Sequence, residues 1–168
     1  MAILQLTVRS LFLLSLVFWI GGLFFFAAIA GPSIFKTLDR SLAGEVVTSI
    51  FSRYYMLGYI CGGAAIALTV LEWATTRSFP TNTPAYAIRA LLLVIMLALW
   101  GYAGAVLRPE AHNARTELRS LTPDTPAYEV VSKRFGALHK RSVVINGTVF
   151  IFGIATVFVT AYTNIKHV

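Results

Sequence analysis

Three polar residues, His139, Ser142 and Asn146, have a spacing that favours a shared site. Residues three and four positions apart lie on the same face of a helix. Asn146 falls within an uncharged run, where an amide group without a hydrogen-bond partner is costly. We therefore predict that the three side chains line a small polar pocket, with His139 as a proton carrier or ligand. The alternative is that they only form hydrogen bonds between helices.

Two histidines, His112 and His139, are candidates for a ligand pair. Two imidazoles can hold haem iron or a transition metal ion. However, the two residues are 27 positions apart and no motif pairs them. We therefore expect neither a metal nor another cofactor, and haem is the alternative.

A further candidate site consists of Glu72 and Arg89, which lie at the ends of two apolar stretches. An ionisable residue next to a membrane span is a functional candidate, because placing a charge there is costly. The alternatives are an ion pair across a helical hairpin or side chains that extend to the headgroups. We expect the ion pair.

Motifs typical of enzymes are missing from the sequence. It contains no GxxxxGK[ST], GxGxxG, HExxH or GxSxG. No two carboxylates lie within one apolar run, where they could act as acid and base. The lone Cys61 cannot close an intrachain disulfide. We therefore expect a protein that is not an enzyme.

The elements that position these residues are four uncharged, mostly apolar runs. All 21 charged residues lie outside them, and an apolar run of about 18 residues can span a membrane. This pattern excludes a soluble domain, a disordered chain and a secreted disulfide scaffold. It predicts an all-α polytopic membrane protein, a single four-transmembrane-helix bundle over residues 1–168. The expected spans are about 10–30, 54–74, 85–107 and 142–163.

The basic residues indicate how the bundle is oriented. Segments 31–53 and 108–141 hold ten Lys or Arg, whereas the other side of the membrane holds four. Because basic residues concentrate in cytoplasmic loops, we place both segments in the cytoplasm and both termini outside, in a bacterial inner (plasma) membrane. The net charge of +7 then reflects topology and lipid headgroups, and we expect no nucleic-acid partner.

Both cytoplasmic segments are expected to contain amphipathic helices at the interface. The first has apolar residues at four-residue spacing, namely Leu38, Leu42, Val46 and Ile50. In the second, one helical face carries Arg108, His112, Arg115 and Arg119. Pro123–Pro126 ends that helix, and Thr125 caps a new one. The link between Thr75 and Pro84 is expected to be a plain turn.

Small and aromatic residues within the spans predict close helix packing. The first span contains Trp19, Gly21 and Gly22, and the second contains Gly58 and Gly62 in a GxxxG pattern. Glycines let helices approach closely in lipid, within the bundle or between protomers. The expected partners are therefore the lipid bilayer and either a second copy of the chain or other subunits of a membrane complex.

Several motifs resemble a known family in their order and spacing. They are Phe35-Lys36-Thr37-Leu38-Asp39-Arg40, Ala43-Gly44, Phe51-Ser52-Arg53-Tyr54-Tyr55, Arg108-Pro109-Glu110, and His139 with Ser142 and Asn146. The chain resembles the transmembrane protein 205-like family, whose bacterial members are labelled domain of unknown function 4149. The resemblance runs from about Leu11 to Phe158. It implies four spans, no established enzymatic activity and an association with export.

A more distant likeness concerns the segment Trp19–Gly22. It is similar to the first helix of copper-resistance D-type membrane domains, which rely on a histidine that this chain lacks before His112. We therefore expect a non-enzymatic membrane protein that supports export, transport or membrane organisation. The alternatives are a haem- or quinone-linked redox subunit and an assembly subunit of a larger membrane complex.

Overall fold

The structure is a computed structural model that describes residues 2–75 and 83–165. These residues are almost entirely helical and contain no strand. In chain order the helices are α1 (Ala2–Phe25), α2 (Gly31–Thr37), α3 (Arg40–Thr75), α4 (Thr83–Tyr102), α5 (Arg108–Ser120) and α6 (Pro126–Ile165). Two π-helical segments, Phe26–Ala30 and Ala103–Leu107, join α1 to α2 and α4 to α5. The turn predicted between Thr75 and Pro84 lies mostly outside the described residues.

Four continuous helical stretches are long and apolar enough to cross a membrane. They are Ile3–Thr37, Arg40–Thr75, Pro84–Ser120 and Pro126–Tyr162. This confirms the predicted all-α fold with four transmembrane helices. α1 packs mainly on α3, α4 packs between α3 and α6, and α6 also contacts α1, so the helices close into a bundle.

The centre of the bundle is filled by two tryptophans that pack on glycines of α3. The ring centroids of Trp19 and Trp100 are 5.8 Å apart, and the rings meet edge to face. A Cβ added to Gly58 would lie 2.3 Å from the Trp100 ring, and one added to Gly62 would lie 2.9 Å from Trp19. Nε1 of Trp100 donates a hydrogen bond of 3.1 Å to the carbonyl oxygen of Tyr55. The glycines therefore make room for aromatic rings.

The helices are much longer than a membrane is thick. α3 has 36 residues and α6 has 40, which correspond to about 54 Å and 60 Å of helix, whereas the hydrocarbon layer is ~30 Å. The amphipathic segments 40–53 and 126–141 are helical, as expected, but they continue into the spans without a break. No proline or glycine separates them from the apolar runs, and extending a helix costs less than starting a new one.

Each π segment comes immediately before a proline that lies within a long helix. Pro32 follows Phe26–Ala30, and Pro109 follows Ala103–Leu107. A proline in a helix interior removes one hydrogen bond and its ring clashes with the preceding turn. After each segment, a backbone N–H bonds the carbonyl five residues back instead of four. This wider turn lets the helix continue past the proline.

One end of the bundle extends into a small helical subassembly, which we call the loop-end head. It consists of α2, residues 40–53 of α3, α5 and residues 126–141 of α6. Within it, α5 and α6 share an apolar core of Ala114, Val131 and Leu138, to which Leu107 of the preceding π segment contributes. The opposite end, where α1 begins and α3 ends, is the terminal end.

The start of α6 is fixed by Thr125, as the sequence predicts. Oγ1 of Thr125 accepts a hydrogen bond of 3.3 Å from the backbone N–H of Tyr128, and the Thr125 carbonyl accepts one from Glu129. Pro126 occupies the first helical position, where its missing N–H has no cost. The residue before the cap, Asp124, has a φ of 65°, which turns the chain back toward the bundle.

Candidate functional site

The terminal end contains a buried group of charged side chains around Glu72. Oε2 of Glu72 accepts a hydrogen bond of 2.6 Å from Nη2 of Arg89, and Oε1 accepts one of 2.7 Å from Nε of Arg9. The hydroxyl of Tyr86 also donates to Oε1, at 3.4 Å. The guanidinium carbon of Arg89 lies 4.5 Å from the ring centre of Phe12 and 4.9 Å from that of Tyr86. We call these five residues the terminal charge network.

This network joins three helices, since Arg9 lies on α1, Glu72 on α3 and Arg89 on α4. Glu72 is 2% exposed and Arg89 is 1% exposed. A buried carboxylate must be paired, and here two guanidinium groups compensate it. The predicted contact between Glu72 and Arg89 is present in the structure. Sequence reasoning missed Arg9. Its position just before the first uncharged run is the signal that could have indicated it.

The three polar residues His139, Ser142 and Asn146 of α6 differ in exposure. His139 is exposed, whereas Ser142 and Asn146 are half-buried. The face of α6 that packs inward carries Leu138 and Ile145, and His139 follows Leu138, about 100° further around the helix. The role of His139 as a pocket residue stays a prediction. Oδ1 of Asn146 is buried and has no hydrogen-bond partner among the described residues.

The two candidate ligand histidines lie on different helices, α5 and α6. His112 lines a groove of about 240 Å³ between α3 and α5, which we call the loop-end groove. The other lining residues are Glu45, Thr48, Ser49, Arg115, Thr116 and Arg119. His139 is not among them and lies exposed on α6. In the described part of the chain, no group of three or more His, Cys, Asp or Glu is arranged to hold a metal ion.

Two arginines of the loop-end groove attach α5 to the beginning of α3. Arg115 donates hydrogen bonds to the carbonyl oxygens of Arg40 and Ser41, at 3.3 and 2.8 Å. Arg119 donates to the same Ser41 carbonyl at 3.1 Å and to Oε1 of Glu45 at 2.9 Å. The guanidinium of Arg115 lies over Gly44, where any side chain would collide with it. The sequence placed these arginines on one face but gave no sign of what that face contacts.

The glycines predicted to pack helices differ in their surroundings. Gly58 and Gly62 are buried under Trp100 and Trp19, so they are not available as a contact with another protomer. A Cβ on Gly22 would meet Leu57 at 3.7 Å. Gly21 is exposed, and a Cβ there would meet no other atom within 4 Å. The predicted packing role of Gly21 within the bundle is therefore wrong, because it lies on the outward face.

The family of the chain follows from a comparison of its sequence with family models. The model described as domain of unknown function (DUF4149) matches residues 14–120. The chain belongs to the DUF4149 family. The comparison does not show the expected similarity to copper-resistance D-type domains. Searches of curated proteins and of solved structures gave no match.

The DUF4149 match includes the central ion pair of the terminal charge network and the loop-end groove. Residues 14–120 include Glu72 and Arg89 of the terminal charge network and the whole loop-end groove. They exclude α6, and with it the segment that carries His139, Ser142 and Asn146. The membrane-spanning helices make this DUF4149 chain an integral membrane protein in contact with lipid.

Proposed function

We propose that this DUF4149 protein is a non-enzymatic membrane protein that supports export across its membrane or the organisation of that membrane. In this proposal the loop-end head is the part that acts. The observation that carries the proposal is that α3, α5 and α6 meet beyond the expected spans. There α5 packs on α6 through an apolar core and donates hydrogen bonds to α3 from Arg115 and Arg119.

The charge of this end of the molecule supports a role at an anionic surface. Segments 31–53 and 108–141 contain ten Lys or Arg against six Asp or Glu, a net charge of +4. Each basic residue close to an anionic leaflet contributes about 1 kcal/mol to membrane attraction. Lys133, Lys140 and Arg141 are exposed on α6 and available for such contacts.

The interior of the bundle supports a role without catalysis. Glu72 is the one Asp or Glu of the sequence within the expected spans 10–30, 54–74, 85–107 and 142–163, and it accepts hydrogen bonds from two guanidinium groups. Trp19 and Trp100 fill the centre of the bundle. An acid–base pair at that position would need space for a substrate, and the two rings occupy that space.

The test compares cells that lack the protein with cells that carry it or its variants. Cells without it are expected to retain more of an amphiphilic fluorescent dye or to show altered membrane order. The wild-type chain should restore both readouts, and so should the charge-conserving pair Lys140→Arg and Arg141→Lys. The pair Lys140→Glu and Arg141→Glu should not. Unchanged dye retention and membrane order in the deletion strain would refute the proposal.

The redox alternative is tested by the visible spectrum of protein purified in mild detergent. His139 does not line the groove that contains His112, so we expect no Soret band. The assembly alternative is tested by native mass measurement of the detergent-solubilised protein. A stoichiometric second subunit would favour it, with contacts formed by residues other than Gly58 and Gly62.

A further inference from the structure

A second and larger groove runs between α1 and α3 near the loop end. Its volume is about 520 Å³, which is in the range of ligand-binding sites. Its apolar walls include Phe25, Phe26 and Leu57, and one edge carries Ser49, Ser52 and Arg53. We call it the α1–α3 groove. It is separate from the loop-end groove, although Ser49 borders both.

Small residues and the first π segment explain why the groove is open. Gly22 lines the groove opposite Leu57, and a Cβ added to Gly22 would already be in van der Waals contact with Cδ2 of Leu57, at 3.7 Å. Ala30, at the end of the π segment, contributes another short side chain. Phe26 contacts Tyr54 with ring centroids 5.3 Å apart. Aromatic contacts therefore support the groove while its outer side stays uncovered.

The polar edge of the groove coincides with the predicted membrane boundary. The first span is expected to end near residue 30 and the second to begin near residue 54, so Arg53 falls where headgroups begin. Arg53 is exposed and forms no ion pair with any residue in the described ranges 2–75 and 83–165. An unpaired guanidinium next to hydroxyl groups is suited to bind a phosphate.

We propose that the α1–α3 groove is a binding site for an anionic phospholipid. One acyl chain lies along Phe25, Phe26 and Leu57, and the headgroup phosphate binds Arg53, with the hydroxyls of Ser49 and Ser52 beside it. Charge complementarity favours an anionic lipid, since this end of the molecule has a net charge of +4. The site depends on the membrane position of the helices and not on the proposed role of the head.

The first experiment measures lipid retention by native mass spectrometry of the full-length protein in mild detergent. Phosphatidylglycerol and phosphatidylcholine are supplied in equal amounts. The wild type should retain phosphatidylglycerol preferentially, and Arg53→Gln should reduce that preference about tenfold, the effect of losing one hydrogen-bonded charge. The matched control Arg134→Gln, which removes an exposed cation outside the groove, should leave the preference unchanged.

Two outcomes of that experiment would overturn the proposal. One is equal retention of the two lipids by the wild type. The other is an unchanged preference in Arg53→Gln, which would assign the retained lipid to the general charge of the head. Gly22→Leu should lower retention of both lipids by filling the apolar part of the groove.

A second measurement does not depend on how well a variant folds. Wild-type protein in vesicles is irradiated with phosphatidylglycerol that carries a photoreactive acyl chain. Cross-links should concentrate on peptides that contain Phe25, Phe26 and Leu57. Phe158, which is 72% exposed on α6, is the reference for ordinary lipid contact. Equal labelling at Phe158 and at the groove would refute a specific site.

Discussion

Nη2 of Arg89 lies 2.6 Å from Oε2 of Glu72, and both side chains are almost completely withdrawn from the surface. The contact connects α3 to α4, and Arg9 adds α1 through the other carboxylate oxygen. Three helices therefore share one ion-pair arrangement near the terminal end. Arg89 depends on Glu72, because removing the carboxylate leaves this guanidinium buried without a counter-charge.

The first prediction concerns Glu72→Gln, which removes the central negative charge. Two guanidinium groups would then lie close together without a counter-charge, and we expect a loss of about 3–5 kcal/mol in stability. The measurement is the thermal unfolding of the protein in detergent. Arg9→Gln is the control, since the Arg9 side chain is 30% exposed and its pair should contribute about 1 kcal/mol or less. Equal melting temperatures for Glu72→Gln and the wild type would contradict the prediction.

The second prediction compares two glycines of α3. Gly58→Ala places a Cβ 2.3 Å from the Trp100 ring, so the aromatic core must move, at a cost of about 1–3 kcal/mol. Gly63 faces open space, and Gly63→Ala should be neutral or stabilising by up to about 1 kcal/mol through helix propensity. Thermal unfolding and the fluorescence of the tryptophans report both effects. Destabilisation of the same size by both substitutions would argue against this packing.

The third prediction tests how α5 is held against α3. Arg115→Gln removes the donor to the carbonyls of Arg40 and Ser41 and should cost about 1 kcal/mol locally. Amide hydrogen exchange should become faster in α5, while the spans stay protected. Arg134→Gln is the matched control, because Arg134 is exposed and its nearest carboxylate, on Glu117, is 3.9 Å away. Unchanged exchange in Arg115→Gln would show that the apolar core of the head is sufficient to hold α5 in place.

The fourth prediction concerns orientation in the membrane. In a Cys61→Ala background, Asp124→Cys should react with a membrane-impermeant maleimide only after the cells are opened. Val168→Cys should react in intact cells, because both termini are expected outside. The native Cys61 is buried and should react slowly in either case. The reverse labelling pattern would show that the loop-end head is outside and the C-terminus is in the cytoplasm, which contradicts the predicted orientation.

The four spans could be predicted because a membrane imposes a simple rule on the sequence. Long uncharged runs have few alternatives to a transmembrane helix, and the helices include all four predicted spans. The helix cap at Thr125 could also be predicted from the sequence, since it depends on residues within one turn. The contact between Glu72 and Arg89 followed from the hairpin that connects two neighbouring spans.

Features that depend on rotation about a helix axis could not be read in this way. His139 and Leu138 are adjacent in sequence, but only Leu138 is buried, because the packing of α6 against α5 decides which side turns inward. For the same reason, the sequence did not distinguish the outward Gly21 from the inward Trp19. Contacts between distant segments, such as Arg115 with Ser41, require a tertiary arrangement that no local pattern encodes.

The π segments 26–30 and 103–107 have a consequence for how this family is compared and engineered. Each contains about one residue more than a regular helical turn, which offsets the rotational phase on its two sides by about 100°. A helical wheel drawn straight through residues 85–120 therefore misassigns the faces of α5 relative to α4. A relative that lacks one residue at either position would form a regular turn there and keep the same helix faces. A relative with one extra residue would instead have the cationic side of α5 rotated away.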